Sequence, residues 1–142
     1  MEREEGDGGL TQKAAVMTEA QEQKLLFQWA AYSRGTYPEL EMLFHIPNGG
    51  SRNKIEAHNL KLQGVKPGVP DLMLPVPRGG YHGLFIELKR TKGGRASEEQ
   101  RAWIRSLKRL GYEAVICRGW EEAAETIKGY LTETGGQARE KD

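Results

Sequence analysis

Residues 68–89 read GVPDLMLPVPRGGYHGLFIELK and decide the fold. Two apolar runs flank a break rich in proline and glycine, which predicts two neighbouring strands joined by a loop. Side chains alternate along a strand, so Glu87 and Lys89 point to one face of the sheet. If Asp71 lies on the neighbouring strand on that face, its carboxylate comes within metal-bridging distance of Glu87. Two carboxylates and a lysine in this arrangement can hold a divalent metal and steer a water.

Each of these fragments also has an ordinary structural interpretation. A Pro-Asp pair is common in turns, and a Glu-x-Lys pattern is often a solvated strand face. The context favours chemistry, because residues 84–86 belong to a nearly continuous apolar run that is typical of a strand buried on both faces. Charged side chains in such a strand are costly unless a function uses them.

The 142-residue chain is long enough for one domain with a sizeable core. Its 37% hydrophobic and 29% charged residues are typical of a soluble globular protein, and no apolar run approaches the roughly 18–20 residues of a membrane span. The acidic start, residues 1–5, lacks the apolar stretch of a secretory signal, so we expect a cytoplasmic protein with no membrane partner. The single cysteine, Cys117, excludes an internal disulfide and is predicted to be a buried structural thiol.

The charge is unevenly distributed, although the net charge is only +1. Residues 44–112 contain 13 Lys or Arg and 5 Asp or Glu, a net charge of +8. The rest of the chain contains 8 and 15 of these residues, a net charge of −7. A polyanion would be drawn to the basic middle, where the candidate site lies, so the distribution favours nucleic-acid binding.

The hydrophobic pattern predicts an α/β fold. The predicted order is a helix at 18–33, a strand at 40–46, the two strands within 68–89, a helix at 97–110, a strand at 112–117 and a helix at 120–131. Capping boxes at Thr18-x-x-Gln21 and Ser97-x-x-Gln100 open two of the helices. A strand–helix–strand unit predicts parallel strands with a right-handed crossover. The fold class is therefore a mixed sheet flanked by helices, with the core order αβββαβ.

One more helix is predicted as an insertion at 51–63. Ser51 is its predicted cap, and Gly64 is its predicted C-terminal stop. Its predicted inward side chains are Ile55, His58 or Asn59, and Leu62.

Both ends of the chain are polar. We predict disordered tails at 1–16 and 132–142 around a domain at 17–131. The three histidines lack the spacing of a zinc site, and a single cysteine cannot form a zinc finger. A metal site in this chain is therefore expected to use oxygen ligands.

The motifs, taken in order, resemble those of a known family. They are a helix glutamate, Asn48-Gly49, Gly64-x-x-x-Gly68-x-Pro70-Asp71, Glu87-x-Lys89 and Ser97-x-x-Gln100. This order resembles the PD-(D/E)XK nuclease superfamily and, more closely, its virus-type replication-repair nuclease (VRR-NUC) family, over about 19–131. The resemblance implies a restriction-endonuclease-like fold and a Mg²⁺- or Mn²⁺-dependent endonuclease. It also implies a homodimer that cuts branched DNA, such as Holliday junctions or flaps.

The resemblance also implies roles for the site residues. Asp71 and Glu87, with the backbone carbonyl of Leu88, would hold the metal. Lys89 would orient the attacking water and stabilise the transition state. Glu19 and Glu22 both qualify as a helix-borne acid that completes the metal shell or supports a second ion. Glu22 is favoured because it lies on the apolar face of its helix.

Further residues are candidates for contacts around the metal. Gln100 either hydrogen-bonds phosphate or a strand backbone, or is an ordinary cap residue. Four basic side chains are candidate DNA contacts, and each has an ordinary interpretation as part of a solvated surface. They are Arg52, Lys54, Lys92 and Arg95.

Two other classes of function are weighed against this one. A DNA-binding module with the nuclease fold and no catalysis would be favoured by the loss of Asp71, Glu87 or Lys89, and all three are present. A small-molecule α/β enzyme would require a glycine-rich phosphate loop such as GxGxxG, which the sequence lacks.

Overall fold

The computed structural model describes residues 16–48 and 53–132. Within these ranges the chain forms four α-helices, four strands and one 3₁₀ helix. The helices are α1 (Glu19–Tyr32), α2 (Lys54–Leu62), α3 (Glu98–Arg109) and α4 (Trp120–Thr132). The strands are β1 (Phe44–His45), β2 (Leu72–Leu74), β3 (Leu84–Lys89) and β4 (Glu113–Arg118), and the 3₁₀ helix is Pro38–Met42.

The four strands form one mixed sheet in the order β1-β2-β3-β4. The first two pairings are antiparallel, and β3 pairs with β4 in parallel across the α3 connection. Both capping boxes form, with Thr18 opening α1 and Ser97 opening α3. The predicted mixed α/β sheet flanked by helices is therefore confirmed.

The sheet lies between two layers of helix. On one face, alternate residues of β3 (Leu84, Ile86 and Leu88) are buried against α1 and α4 in the main core. On the other face, Phe85 packs with Ile104 of α3 in a smaller cluster. Glu87 and Lys89 have the parity of Phe85, so they point to the α3 face. The functional side chains of β3 therefore lie on the less apolar side of the sheet.

The strand predicted at 40–46 is wrong over most of its length. Residues 38–42 form the 3₁₀ helix instead, with Pro38 at its start, and only β1 remains of the strand. Leu40 and Leu43 are both buried. A separation of three residues puts both on the same side of a 3₁₀ turn, which has three residues per turn.

The predicted interior face of the inserted helix is also wrong. Asn53 caps α2 by accepting the Glu56 N–H at 2.7 Å, and the predicted cap Ser51 lies outside the described residues. Ile55 and Leu62 are 77% and 71% exposed, and His58 and Asn59 are exposed as well. The helix instead turns one side toward a cavity of about 270 Å³, lined by Asn48, Ala57, Leu60, Lys61, Val65 and Pro67. Nine residues with three scattered large apolar side chains do not define a unique stripe.

The described helices also bear on the membrane question, since none of them is both long and apolar enough to cross a bilayer. The predicted tails at 1–16 and 132–142 lie outside the described residues, apart from Val16 and Thr132. Thr132 is the last residue of α4.

Candidate active site

The register of β2 and β3 sets two carboxylates opposite each other. Leu72 pairs with Ile86 in the antiparallel ladder, so Asp71, one residue earlier, faces Glu87, one residue later. The Oδ2 atom of Asp71 accepts the backbone N–H of Leu88 at 2.8 Å. This bond fixes the Asp71 carboxylate against the end of β3, beside Glu87.

The segment before Asp71 is shaped by Gly68. Its φ is +92°, and a Cβ at this position would lie 2.8 Å from the backbone of Glu99 at the start of α3. Only glycine allows this backbone conformation and this close approach without strain. Asn48 supports the same segment by donating from Nδ2 to the Val69 carbonyl at 2.9 Å. The loop that carries Asp71 is therefore held between α3 and the end of β1.

Pro70 removes one hydrogen-bond donor at the site. Continued by two residues, the β2–β3 register puts Pro70 opposite Leu88. Proline has no N–H, so this position cannot donate a ladder hydrogen bond to the Leu88 carbonyl. The backbone oxygen of Leu88 therefore keeps capacity for another partner close to Asp71.

Glu87 is almost fully buried, at 2% exposure, and its two oxygens differ. Its Oε2 accepts a hydrogen bond from Gln100 Nε2 at 2.9 Å and lies 3.3 Å from Lys89 Nζ. Its Oε1 is buried and has no hydrogen-bond partner among the described residues. Buried carboxylate oxygens normally have a partner, so this atom is suited to bind a cation.

Gln100 is a cap residue, and its other contact is a side chain rather than the predicted phosphate or strand backbone. Its Oε1 accepts the Ser97 N–H at 2.8 Å in the capping box of α3. Its Nε2 donates to Glu87 Oε2. The helix start therefore orients Glu87 directly, through one side chain.

The electrostatics of the site show an excess of negative charge. Burial and, to a smaller extent, the charge of Asp71 raise the pKa of Glu87 to about 7, with Lys89 opposing both effects. Burial also raises the pKa of Asp71, which the Leu88 N–H opposes, and the charge of Glu19 raises it further. A divalent cation between these carboxylates would relieve this repulsion.

The two candidate helix acids lie in different places. Glu19 Oε2 lies 3.9 Å from Lys89 Nζ, and its charge acts on both Asp71 and Glu87. Glu22 is on the buried face of α1, as its spacing predicts, and is 1% exposed. Its Oε1 instead accepts the backbone N–H of Trp120 at 2.9 Å. The structure therefore brings Glu19 to the Lys89 ammonium and joins Glu22 to α4 through Oε1, while Glu22 Oε2 is buried and has no hydrogen-bond partner among the described residues.

The donor set fits a hard divalent cation. Across residues 16–48 and 53–132, no three His, Cys, Asp or Glu side chains converge closely enough to hold a metal by themselves. Two carboxylates and a backbone carbonyl are available in Asp71, Glu87 and Leu88. An ion bound here would keep several waters, as Mg²⁺ commonly does.

The basic candidates are only partly brought to the site. Lys92 and Arg95 are exposed in the loop between β3 and α3. A Cβ at Gly94 in this loop would lie 3.3 Å from Glu19 Oε2 and 3.5 Å from Lys89 Cβ, so the loop borders the site. Lys54 is exposed at the start of α2, and Arg52 lies outside the described residues.

Sequence reasoning missed two residues that hold this loop. Arg118 Nη1 donates to the Gly94 carbonyl at 2.5 Å, and Arg101 Nε donates to the Ala96 carbonyl at 3.4 Å. The parallel pairing of Lys89 with Arg118 places this arginine beside the loop. Only the predicted sheet order carried that signal, since no local motif marks either arginine.

Comparisons with known proteins agree with the fold. The family model of the VRR-NUC domain matches residues 10–121. A solved structure of a VRR_NUC domain protein is 31% identical, with a TM-score of 0.72, and the match covers 84% of this chain and 92% of that chain. No curated protein matches the sequence. With its nuclease-type fold, the chain belongs to the VRR-NUC domain family.

Proposed function

We propose that this protein is a Mg²⁺- or Mn²⁺-dependent endodeoxyribonuclease that hydrolyses phosphodiester bonds in branched DNA such as Holliday junctions or flaps. One observation carries the proposal. The carboxylates of Asp71 and Glu87 face each other at the ends of adjacent strands; among the described residues Glu87 Oε1 is buried and unpartnered, and Glu87 Oε2 lies 3.3 Å from the Lys89 ammonium. Family membership gives a nuclease, and this geometry supplies the groups that such a reaction needs.

Each residue has a role that its environment supports. Asp71, Glu87 and the Leu88 carbonyl would hold the ion, which supplies a more acidic bound water and offsets charge on the phosphate. Lys89, whose side chain is 8% exposed, donates to the attacking water or to a phosphate oxygen. Gln100 keeps Glu87 in place through its amide.

The proposal assigns the helix-borne acid to Glu19 rather than Glu22. Glu19 is the acid whose carboxylate lies near the Lys89 ammonium, and its side chain is 47% exposed to solvent. From this position it can accept a hydrogen bond from a metal-bound water or from Lys89. Glu22 is treated separately below, because its Oε1 accepts a hydrogen bond from another helix and its buried Oε2 has no partner among the described residues.

The substrate and the assembly follow from charge and from the family. The basic middle of the chain, residues 44–112 with a net charge of +8, would attract the DNA backbone through Lys54, Lys92, Arg95 and, outside the described residues, Arg52. A homodimer would present two active sites to the two symmetric strands of a four-way junction. A cytoplasmic location stays a prediction.

The test is a cleavage assay on a panel of labelled DNA substrates. Four-way junction, fork, flap and linear duplex are incubated with the protein in Mg²⁺, Mn²⁺ or EDTA. Cutting of branched substrates with metal, and none in EDTA or by Glu87→Gln, supports the proposal. Binding to DNA without cutting under every condition would instead favour a DNA-binding module with the nuclease fold.

A further inference from the structure

The carboxylate of Glu22 is buried and not used in the chemistry just proposed, although its Oε2, like Glu87 Oε1, has no hydrogen-bond partner among the described residues. The first amides of a helix need acceptors from outside the helix, and a side chain at the preceding position usually provides one. In α4 that position is Gly119, whose carbonyl accepts the first intrahelical bond from Ala123 N at 3.2 Å. Glycine has no side chain to offer. Glu22 Oε1 instead accepts the Trp120 N–H at 2.9 Å, across 98 residues of sequence.

Gly119 cannot be exchanged for an ordinary cap residue. Its φ is +88°, and a Cβ there would lie 2.7 Å from Thr91 Cγ2. The same Cβ would lie 3.7 Å from Glu22 Oε1. The cap of α4 therefore has to come from another element, and α1 provides it.

This junction is joined directly to the active site. The Gly119 N–H donates to the Lys89 carbonyl at 2.8 Å, so the start of α4 is fixed to the last residue of β3. Three residues before Glu22 on the same helix, Glu19 Oε2 reaches Lys89 Nζ. Residues at this spacing lie on one side of a helix. The first turn of α1 therefore makes two contacts at this junction. Glu22 accepts the main-chain N–H of Trp120, and Glu19 lies near the Lys89 ammonium.

We propose that Glu22 is a positioning residue that acts through Glu19. Its bond to Trp120 sets the rotation and height of α1, and thereby places the Glu19 carboxylate beside Lys89. At 3.9 Å this ion pair is already long, so a movement of α1 by about 1 Å would break it. The inference rests on the proposed function for its effect on cleavage. The placement of Glu19 can be tested without it.

The kinetic experiment compares four variants on the branched DNA that wild type cuts fastest. They are Glu22→Gln, Glu22→Ala, Glu19→Gln, and the double variant Glu19→Gln with Glu22→Ala. Glutamine keeps an acceptor for Trp120, so Glu22→Gln should cut within about threefold of wild type. Glu22→Ala should lose about tenfold and require more Mg²⁺. In the Glu19→Gln background, Glu22→Ala should lower the melting temperature without lowering the rate further, because both act through one contact.

A matched control separates position from stability. Ile127→Val removes one methylene from the fully buried side of α4, far along the helix from its cap, and should lower the melting temperature while leaving the rate unchanged. A rate loss in this control equal to that of Glu22→Ala would overturn the inference. So would independent, multiplying losses in the double variant, or a Glu22→Gln variant that cuts tenfold more slowly, since a metal ligand needs the charge. The glutamine variant keeps the inference testable even if Glu22→Ala does not fold.

A structural readout separates this inference from the proposed function. In metal-free crystal structures, Glu22→Gln should keep Glu19 Oε2 within about 4 Å of Lys89 Nζ, and Glu22→Ala should separate them. Unchanged placement of Glu19 in Glu22→Ala, or its loss in Glu22→Gln, would overturn the inference. If wild type cuts no substrate, the proposed function fails, whereas these two structures still decide the role of Glu22.

Discussion

The carboxylate of Asp71 accepts the backbone N–H of Leu88 across two antiparallel strands. Leu88 lies opposite Pro70 in this register, and a proline has no N–H with which to donate to the Leu88 carbonyl. A side chain is thus built into the main-chain pairing, and its second oxygen is left for other partners. The site is therefore ordered by the sheet itself before any ligand binds.

The charge of Asp71 can be separated from its structural bond. Asp71→Asn keeps an acceptor for Leu88 N and loses the negative charge, whereas Asp71→Ala loses both. We expect both variants to lose cleavage on the order of a hundredfold or more, and only Asp71→Ala to lose stability, by about 1 kcal/mol. Steady-state cleavage and thermal melting measure the two effects. Wild-type cleavage by a folded Asp71→Asn variant would show that the metal lies elsewhere. The corresponding Glu87→Ala and Lys89→Ala variants should lose activity to a similar extent without unfolding.

Gln100 offers a similar separation. Gln100→Glu keeps the capping box with Ser97, since glutamate serves equally well at that position. It replaces the amide donor to Glu87 with a second carboxylate, which raises the pKa of Glu87 further. We expect α3 to stay folded by circular dichroism while cleavage at neutral pH falls about tenfold and recovers partly at higher pH. Gln100→Ala, which loses the cap as well, should lower the melting temperature. Equal cleavage by Gln100→Glu and wild type at pH 7 would contradict the role assigned to the amide.

The raised pKa of Glu87 predicts a pH dependence in the absence of metal. Its pKa rises from 4.5 to about 7 on folding, so the folded protein binds a proton more tightly than the unfolded chain between these values. The contribution of this proton to the free energy of unfolding is fully present below pH 4.5 and is lost as pH rises through about 7. In EDTA, Glu87→Gln should therefore gain melting temperature relative to wild type as pH increases over this range. A constant difference would mean that the group titrates normally.

Bound metal should reverse the relative stability of wild type and Glu87→Gln. An ion needs the ionised carboxylate, so apparent Mg²⁺ affinity should rise with pH up to about 7 and level off above it. At pH 8, added Mg²⁺ should raise the melting temperature of wild type and leave Glu87→Gln nearly unchanged. Calorimetric titration at several pH values measures the affinity directly. Affinity independent of pH between 5 and 8 would exclude Glu87 as a ligand.

Salt dependence tests the basic middle of the chain. Binding of junction DNA in Ca²⁺ or EDTA should weaken steeply with salt, and charge reversal at Lys92, Arg95, Lys54 or Arg52 should each flatten the log–log slope by about one unit. Lys128→Glu is the control, because Lys128 lies outside the basic middle and pairs with Glu125. A slope changed equally by the control would show a general charge effect rather than contacts to phosphates.

The assembly prediction is the most dependent on the family. Light scattering should show a dimer at micromolar concentration, with or without junction DNA, and cleavage should favour four-way junction over linear duplex. A monomer under both conditions would refute the dimer. Equal cutting of the two substrates would refute the preference for branched DNA, and either result leaves the other open to test.

The sequence could predict the features that depend on the alternation of side chains along a strand and on the spacing of residues in a helix. Alternation along a buried strand set Glu87 and Lys89 on one face, and the two capping boxes formed as their spacing indicates. The burial of Glu22 was likewise readable from helical spacing, but its partner was not, because Trp120 N is 98 residues away. Glu22 was preferred to Glu19 for its place among the apolar residues of α1, and only the packing of α1 on β3 brings Glu19 to Lys89. In α2, few and scattered apolar residues left the inward side undetermined.

Pro70 is expected to lower the stability of the sheet while favouring the proposed activity. A residue with an N–H at this position, as in Pro70→Ala, could complete the ladder to the Leu88 carbonyl and add about 1 kcal/mol of stability. The same bond would occupy the oxygen that is proposed to bind the ion. A screen for thermostable variants would therefore select such changes, and selection for cleavage would remove them. The proposed function would therefore favour a position in the sheet that lacks an amide donor.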